Sequence, residues 1–123
     1  MSKPSSPPVL IYTTWPDSAS ARSAAGILLS EKLIACCNII PAAQSIYIWE
    51  GEVQESQEVI AFFKTTRPAA DRLSDRLAEL HPYETPAIIA NWTNKIGSSE
   101  AFSNWVAEVA TYNPISLTDI NTD

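Results

Sequence analysis

One histidine, two cysteines and three glycines in 123 residues leave little room for several kinds of chemistry. A structural zinc site wants four Cys/His ligands at short spacing, and His81, Cys36 and Cys37 are too few to build one. Gly26, Gly51 and Gly97 stand far apart, so no glycine-rich phosphate loop or dinucleotide fingerprint exists. Basic residues are scarce too: eight Lys and Arg against fourteen Asp and Glu give a net charge of −6. With no basic run, that balance argues against a nucleic-acid partner. No stretch approaches about eighteen uninterrupted apolar residues, so no membrane helix is expected. The Ser/Pro-rich start, Met1 to Pro8, offers no signal-peptide core, and the expected location is the cytoplasm. Cys36 and Cys37 are adjacent. Neighbours in a strand point to opposite faces, so a disulfide between them would be strained, and two free buried thiols are expected.

What is present suffices for one packed domain, since hydrophobic residues make up 46% of the chain. We expect a flexible segment at 1–8, a single domain at 9–112 and a polar acidic tail at 113–123. Val9 to Thr14 reads as a strand, ended by Pro16-Asp17 with Trp15 in the loop. Ala21, Ala24, Ala25, Leu28 and Leu29 then share one helical face, capped by Asp17 or Ser18. Gly26 within that helix suggests a close approach of helix to sheet.

Leu33 to Ile40 is nearly continuous apolar, as expected of a strand buried on both faces. Gln44 to Trp49 alternates, and Pro41 between them implies a bend, an edge position or a bulge. Glu50-Gly51 signals a hairpin turn, and the returning strand is Glu58 to Thr66, with 52–57 as a polar arm of the same hairpin. Ala70, Leu73, Leu77 and Leu80 stripe a second helix that starts at Pro68 and stops at His81-Pro82. Pro86 to Trp92 is a further strand. Gly97-Ser98-Ser99 breaks it, and a third helix at Glu100 to Ala110 carries Phe102, Trp105, Val106 and Val109. The order β-α-β-β-α-β-α predicts an α+β, ferredoxin-like βαββαβ sandwich with an extra C-terminal helix.

Catalytic chemistry is hard to assemble from these residues. His81 is the sole imidazole, and both cysteines lie in an apolar strand where a thiolate is disfavoured. His81 with Glu84, or copies of His81 from several subunits, could hold a divalent cation. The plainer role for His81 is to end a helix, its ring bonded to nearby backbone. Among the four tryptophans, Trp92 and Trp105 are expected in the core. Tyr47 and Trp49 share a face at the hairpin end, where they pack either against another subunit or under the turn.

Five blocks resemble the CutA divalent-ion tolerance family: Thr-Thr-Trp-Pro-Asp at 13–17, Glu-Lys-Leu-Ile-Ala-Cys-Cys-Asn-Ile-Ile-Pro at 31–41, Ser-Ile-Tyr-Ile-Trp-Glu-Gly at 45–51, Lys-Thr-Thr at 64–66 and His-Pro-Tyr-Glu-Thr-Pro at 81–86. The resemblance runs from about Val9 to Ala110. It implies a homotrimer similar to the PII signalling proteins, with long hairpins reaching the next subunit through Tyr47, Trp49, Glu50 and Gly51. It implies Lys64, His81, Tyr83 and Glu84 as a polar cluster near an intersubunit cleft, for a small ligand or for Cu²⁺ or another divalent cation. Members credited with copper binding offer a Cys near the end of the first strand and two consecutive His before the Pro-Tyr block. Those places hold Thr13 and Leu80-His81, so only His81 carries over. A trimer in divalent-metal tolerance is the first reading. An interaction or PII-like signalling trimer, with or without another protein partner, is the second. An enzyme using the Lys64, His81, Tyr83 and Glu84 cluster is the third, and no enzymatic activity is expected.

Overall fold

The computed structural model describes residues 7–92 and 99–114. Seven elements follow the predicted order: β1 (Val9–Trp15), α1 (Ser18–Ser30), β2 (Cys36–Trp49), β3 (Glu52–Thr65), α2 (Arg67–Leu80), β4 (Ile88–Trp92) and α3 (Glu100–Val109). The Gly97-Ser98 break and all but the first two residues of the acidic tail lie outside the described residues, as do residues 1–6 of the N-terminal segment. The four strands form one antiparallel sheet in the order β2-β3-β1-β4. This is the ferredoxin-like arrangement expected from the pattern.

Local chemistry sets the element boundaries. Asp17 caps α1 by accepting from the Ser20 N–H at 2.7 Å, and Thr66 caps α2 by accepting from the Ala69 N–H at 3.3 Å. Period-two alternation then divides the sheet. Val9, Ile11, Thr13 and Trp15 of β1 and Val59, Ala61, Phe63 and Thr65 of β3 face the helices and are buried. Against them pack Ala21, Ala24, Ala25 and Leu28 of α1 and Ala69, Ala70, Leu73 and Leu77 of α2. Helix α3 joins a smaller cluster in which Val106 and Ala110 meet Ala35.

Several expectations change. The apolar run at 33–40 is not one strand. Leu33, Ile34 and Ala35 form a buried turn between α1 and β2, where Thr65 Oγ1 donates to the Leu33 carbonyl at 2.7 Å. The bulge and edge position expected at Pro41 are both found: β2 is an edge strand that continues through Pro41 to Trp49, with Pro41 and Ala42 together opposite Val59. Ala42 adopts φ 64° to make the bulge. The polar arm at 52–57 is part of β3 itself. Glu50 and Gly51 both take positive φ, 51° and 81°, which is the two-residue turn whose twist suits a hairpin.

Trp15 is the last residue of β1 and is fully buried. Trp92 and Trp105, expected in the core, are 54% and 41% exposed. Strand β4 is a sheet edge and α3 lies beside the main core, so the described residues cover each aromatic only in part. Trp92 lies under the Arg67 guanidinium at 4.8 Å, and Trp105 tilts against Phe102 at 5.6 Å. Gly26 faces outward, and a Cβ there would meet nothing within 4 Å, so close packing does not explain it. The cysteines are free but half-buried, because β2 is also a sheet edge.

Candidate functional site

The polar residues of the Thr-Thr-Trp-Pro and His-Pro-Tyr-Glu blocks meet at the C-terminal end of β1. Strand β1 pairs with β3 up to Trp15↔Val59, whereas Glu52 to Glu58 of β3 pair with β2 alone. Glu58 is therefore the residue at which the β2–β3 hairpin leaves the sheet. Its free part carries seven register pairs, from Ala43↔Glu58 to Trp49↔Glu52, and is about 20 Å long at the usual strand rise. The segment from His81 to Ala87 leaves α2 and passes this same end of β1 to reach β4.

Inside the site the bonds form a chain. Trp15 Nε1 donates to Thr13 Oγ1 at 2.6 Å, and Thr13 Oγ1 donates to the Ala61 carbonyl at 2.8 Å. His81 stacks on Trp15 with ring centroids 4.0 Å apart and an interplanar angle of 25°. Its Nε2 lies 2.7 Å from the Thr14 carbonyl, and its Nδ1 accepts from the Tyr83 N–H at 3.1 Å. A carbonyl can only accept and an amide N–H can only donate, so the ring is the neutral tautomer with its proton on Nε2. Tyr83 tilts against His81 at 4.8 Å and donates its phenol to Glu58 Oε2 at 2.9 Å.

The titration properties follow from this packing. Burial, the dominant influence, holds His81 below its usual value of 6.5, against a smaller opposing effect of the Thr14 carbonyl. Burial and then the Glu58 carboxylate push the Tyr83 phenol up to about 12. A histidine whose folded pKa is depressed contributes stability that is complete above its unfolded pKa, about 6.5, and lost as pH falls below it. His81 is the only histidine, so wild-type protein should show a melting temperature that declines between about pH 7 and pH 5. The His81→Gln variant should give a flatter profile across that window. A wild-type melting temperature that rises on acidification would contradict the neutral ring.

The expected cluster is brought together only in part. His81 and Tyr83 are in contact, and Glu84 is exposed beside them in sequence. Lys64 lies six residues beyond Glu58 on β3, about 20 Å away, with Nζ 5.3 Å from the centroid of the Phe102 ring. Glu58 and Trp15 are the members that sequence reading missed. A signal for Glu58 existed, since a carboxylate shares its strand face with Ile60 and Phe62. Tyr47 and Trp49, with Glu50 and Gly51, sit on the free end of the hairpin, all exposed. Ile46, Ile48 and Val53 beside them are also exposed.

A copper ion does not fit the three positions singled out by the resemblance. Copper favours imidazole and thiolate donors. Thr13 Oγ1 is already donor and acceptor in the Trp15–Ala61 chain, Leu80 packs against the core, and both His81 nitrogens are engaged. Burial pushes the Cys37 thiol up to about 12, far from the thiolate a metal needs. Among the described residues no group of three His, Cys, Asp or Glu side chains is placed to hold a metal ion.

Comparison with known proteins places the whole fold. The family described as CutA1 divalent ion tolerance protein matches residues 9–109. The divalent-cation tolerance protein CutA of Pyrococcus horikoshii is 39% identical over 100 residues, covering 81% of this chain and 95% of that protein. The Thermus thermophilus protein of the same name is 44% identical over 81 residues, covering 66% and 79%. Among solved structures, CutA1 from Oryza sativa superposes with a TM-score of 0.81 at 32% identity, covering 87% of this chain and 96% of that one. The divalent ion tolerance protein CutA1 from Ehrlichia chaffeensis gives 0.80 at 34% identity, covering 85% and 96%. On the extent of the match and the shared fold, this chain belongs to the CutA1 divalent ion tolerance protein family.

Proposed function

We propose that the protein works as a homotrimer in the tolerance of divalent cations, copper among them, and that the β2–β3 hairpin of each subunit lies on the sheet of the next. The observation that carries this reading is the free half of that hairpin. It exposes Ile46, Tyr47, Ile48, Trp49 and Val53, with Ile48 72% and Val53 70% accessible. A lone two-stranded hairpin is marginal in water, and an exposed apolar patch of this kind marks an association surface. Ile40 of β2 and Ile89 of β4 add exposed apolar surface within the sheet. A ring of three copies covers each hairpin once and closes the assembly.

In this reading Lys64, Tyr83 and Glu84 line a cleft completed by a neighbouring subunit, and a cation or small ligand bound there meets the exposed Glu84 carboxylate rather than imidazole. Catalysis is not part of the reading: within one chain Lys64 stands apart from His81 and Tyr83, and the only imidazole has both nitrogens committed to backbone. The exposed Trp92, Phe102 and Trp105 favour a second reading, in which the trimer docks another protein and metal effects are indirect. Growth at raised copper tests the first reading in cells deleted for their own CutA1 protein. Wild-type protein should restore tolerance and a hairpin variant, Ile48→Asp with Trp49→Asp, should not. Failure of well-expressed wild-type protein to restore growth would count against the tolerance role.

A further inference from the structure

The end of β1 joins three elements that could otherwise move separately: the loop after α2, the buried Trp15, and the root of the hairpin. The joint runs through His81. Its ring stacks on Trp15 at 4.0 Å and meets Tyr83 at 4.8 Å. In its plane, Nε2 fixes the ring to β1 at Thr14, and Nδ1 fixes the first backbone N–H after Pro82. That second bond sets the direction of Tyr83, whose phenol reaches Glu58 at 2.9 Å. Glu58 is the first β3 residue beyond the β1 pairing, directly opposite Ala43 beside the β-bulge.

We propose that Thr14, His81, Tyr83 and Glu58 form a metal-independent latch that ties the 81–86 loop to the hairpin root, with His81 as a positioning residue and not a metal ligand. A cation at Nδ1 would displace the Tyr83 N–H. A cation at Nε2 would displace the ring proton and leave the buried Thr14 carbonyl without its donor. Either event removes a bond that the loop depends on, and an unpaired buried polar group is costly. This holds whether or not the tolerance role proposed above is correct.

Two measurements on the full chain test it. In ¹⁵N-labelled protein at neutral pH, the His81 ring should show one protonated and one bare nitrogen, and Zn²⁺ added to a few equivalents should leave both resonances in place. Equimolar Zn²⁺ shifting either ring nitrogen would overturn the proposal. Amide hydrogen exchange then reads the latch. Tyr83→Phe keeps the ring stack but loses the phenol bond to the carboxylate, and should speed exchange at the hairpin root, residues 57–59, about tenfold while α1 is unchanged. His81→Ala should speed exchange at both the Tyr83 amide and the root. His81→Asn, whose side-chain oxygen sits near the place of Nδ1, should restore protection at the Tyr83 amide. Unchanged root exchange in Tyr83→Phe, or equal loss in His81→Ala and His81→Asn, would sink the latch.

Discussion

Ile48→Asp combined with Trp49→Asp should leave a folded protein with the mass of one 13.5 kDa chain. Both residues are exposed in the isolated subunit, at 72% and 59%, so the substitution removes nothing from the subunit's own core. In the proposed trimer both are covered, and burying side chains of this size contributes about 1.5–3 kcal/mol each. A carboxylate placed against an apolar neighbour adds a desolvation cost of several kcal/mol. Threefold symmetry repeats the loss at every interface. Each 1.4 kcal/mol is about tenfold in affinity, so the assembly should fail at micromolar concentrations. Light scattering reads the mass, and far-UV circular dichroism should keep its helical signal. An unchanged mass would remove the hairpin from the interface.

Phe63→Ala should be the most destabilising single change that leaves the hairpin untouched. Phe63 is fully buried on the helix face of β3, and its ring lies 6.3 Å from that of Trp15. Truncating a buried phenylalanine costs about 3–5 kcal/mol through lost transfer energy and the cavity left behind. That is a large share of the roughly 5–15 kcal/mol that holds a domain together. The melting temperature, at fixed protein concentration, should fall by about 10–20 °C. Its neighbour Phe62 points to the opposite face and meets Tyr12 edge-on at 5.7 Å. Phe62→Ala should cost less in the isolated subunit and act more on assembly. A Phe63→Ala loss below about 1 kcal/mol would mean that the register of β3 is misread.

The element order was readable because alternation and helical spacing both have short periods: Val59, Ala61, Phe63 and Thr65 could only share a face, and Leu73 and Leu77 could only share a stripe. The hairpin was readable through Glu50-Gly51, where positive φ is needed at both turn residues. The β2 boundary was not. Leu33–Ala35 and Cys36–Ile40 are equally apolar, and only long-range bonds such as Thr65 to Leu33 divide a buried turn from a strand. Trp92 and Trp105 were misplaced for a related reason. An apolar residue in a pattern predicts that something covers it, and nothing in one chain says whether the cover comes from the same subunit.

The candidate site was half legible. Its blocks stood out as sequence, and the plain reading of His81 as a helix-ending residue bonded to backbone agrees with its bonds to Thr14 and Tyr83. Glu58 stood out as a carboxylate on an apolar strand face, but its partner did not, since 25 residues separate it from Tyr83. The distance between Lys64 and His81 was equally hidden, because sequence proximity to a family block carries no length along a strand.

The account stands most directly on the mass of the wild-type protein in solution. Light scattering on the native chain, diluted through the low micromolar range, should return a constant value about three times the 13.5 kDa of one chain. A mass of one chain across that range would contradict the assembly and, with it, the role given to the exposed hairpin.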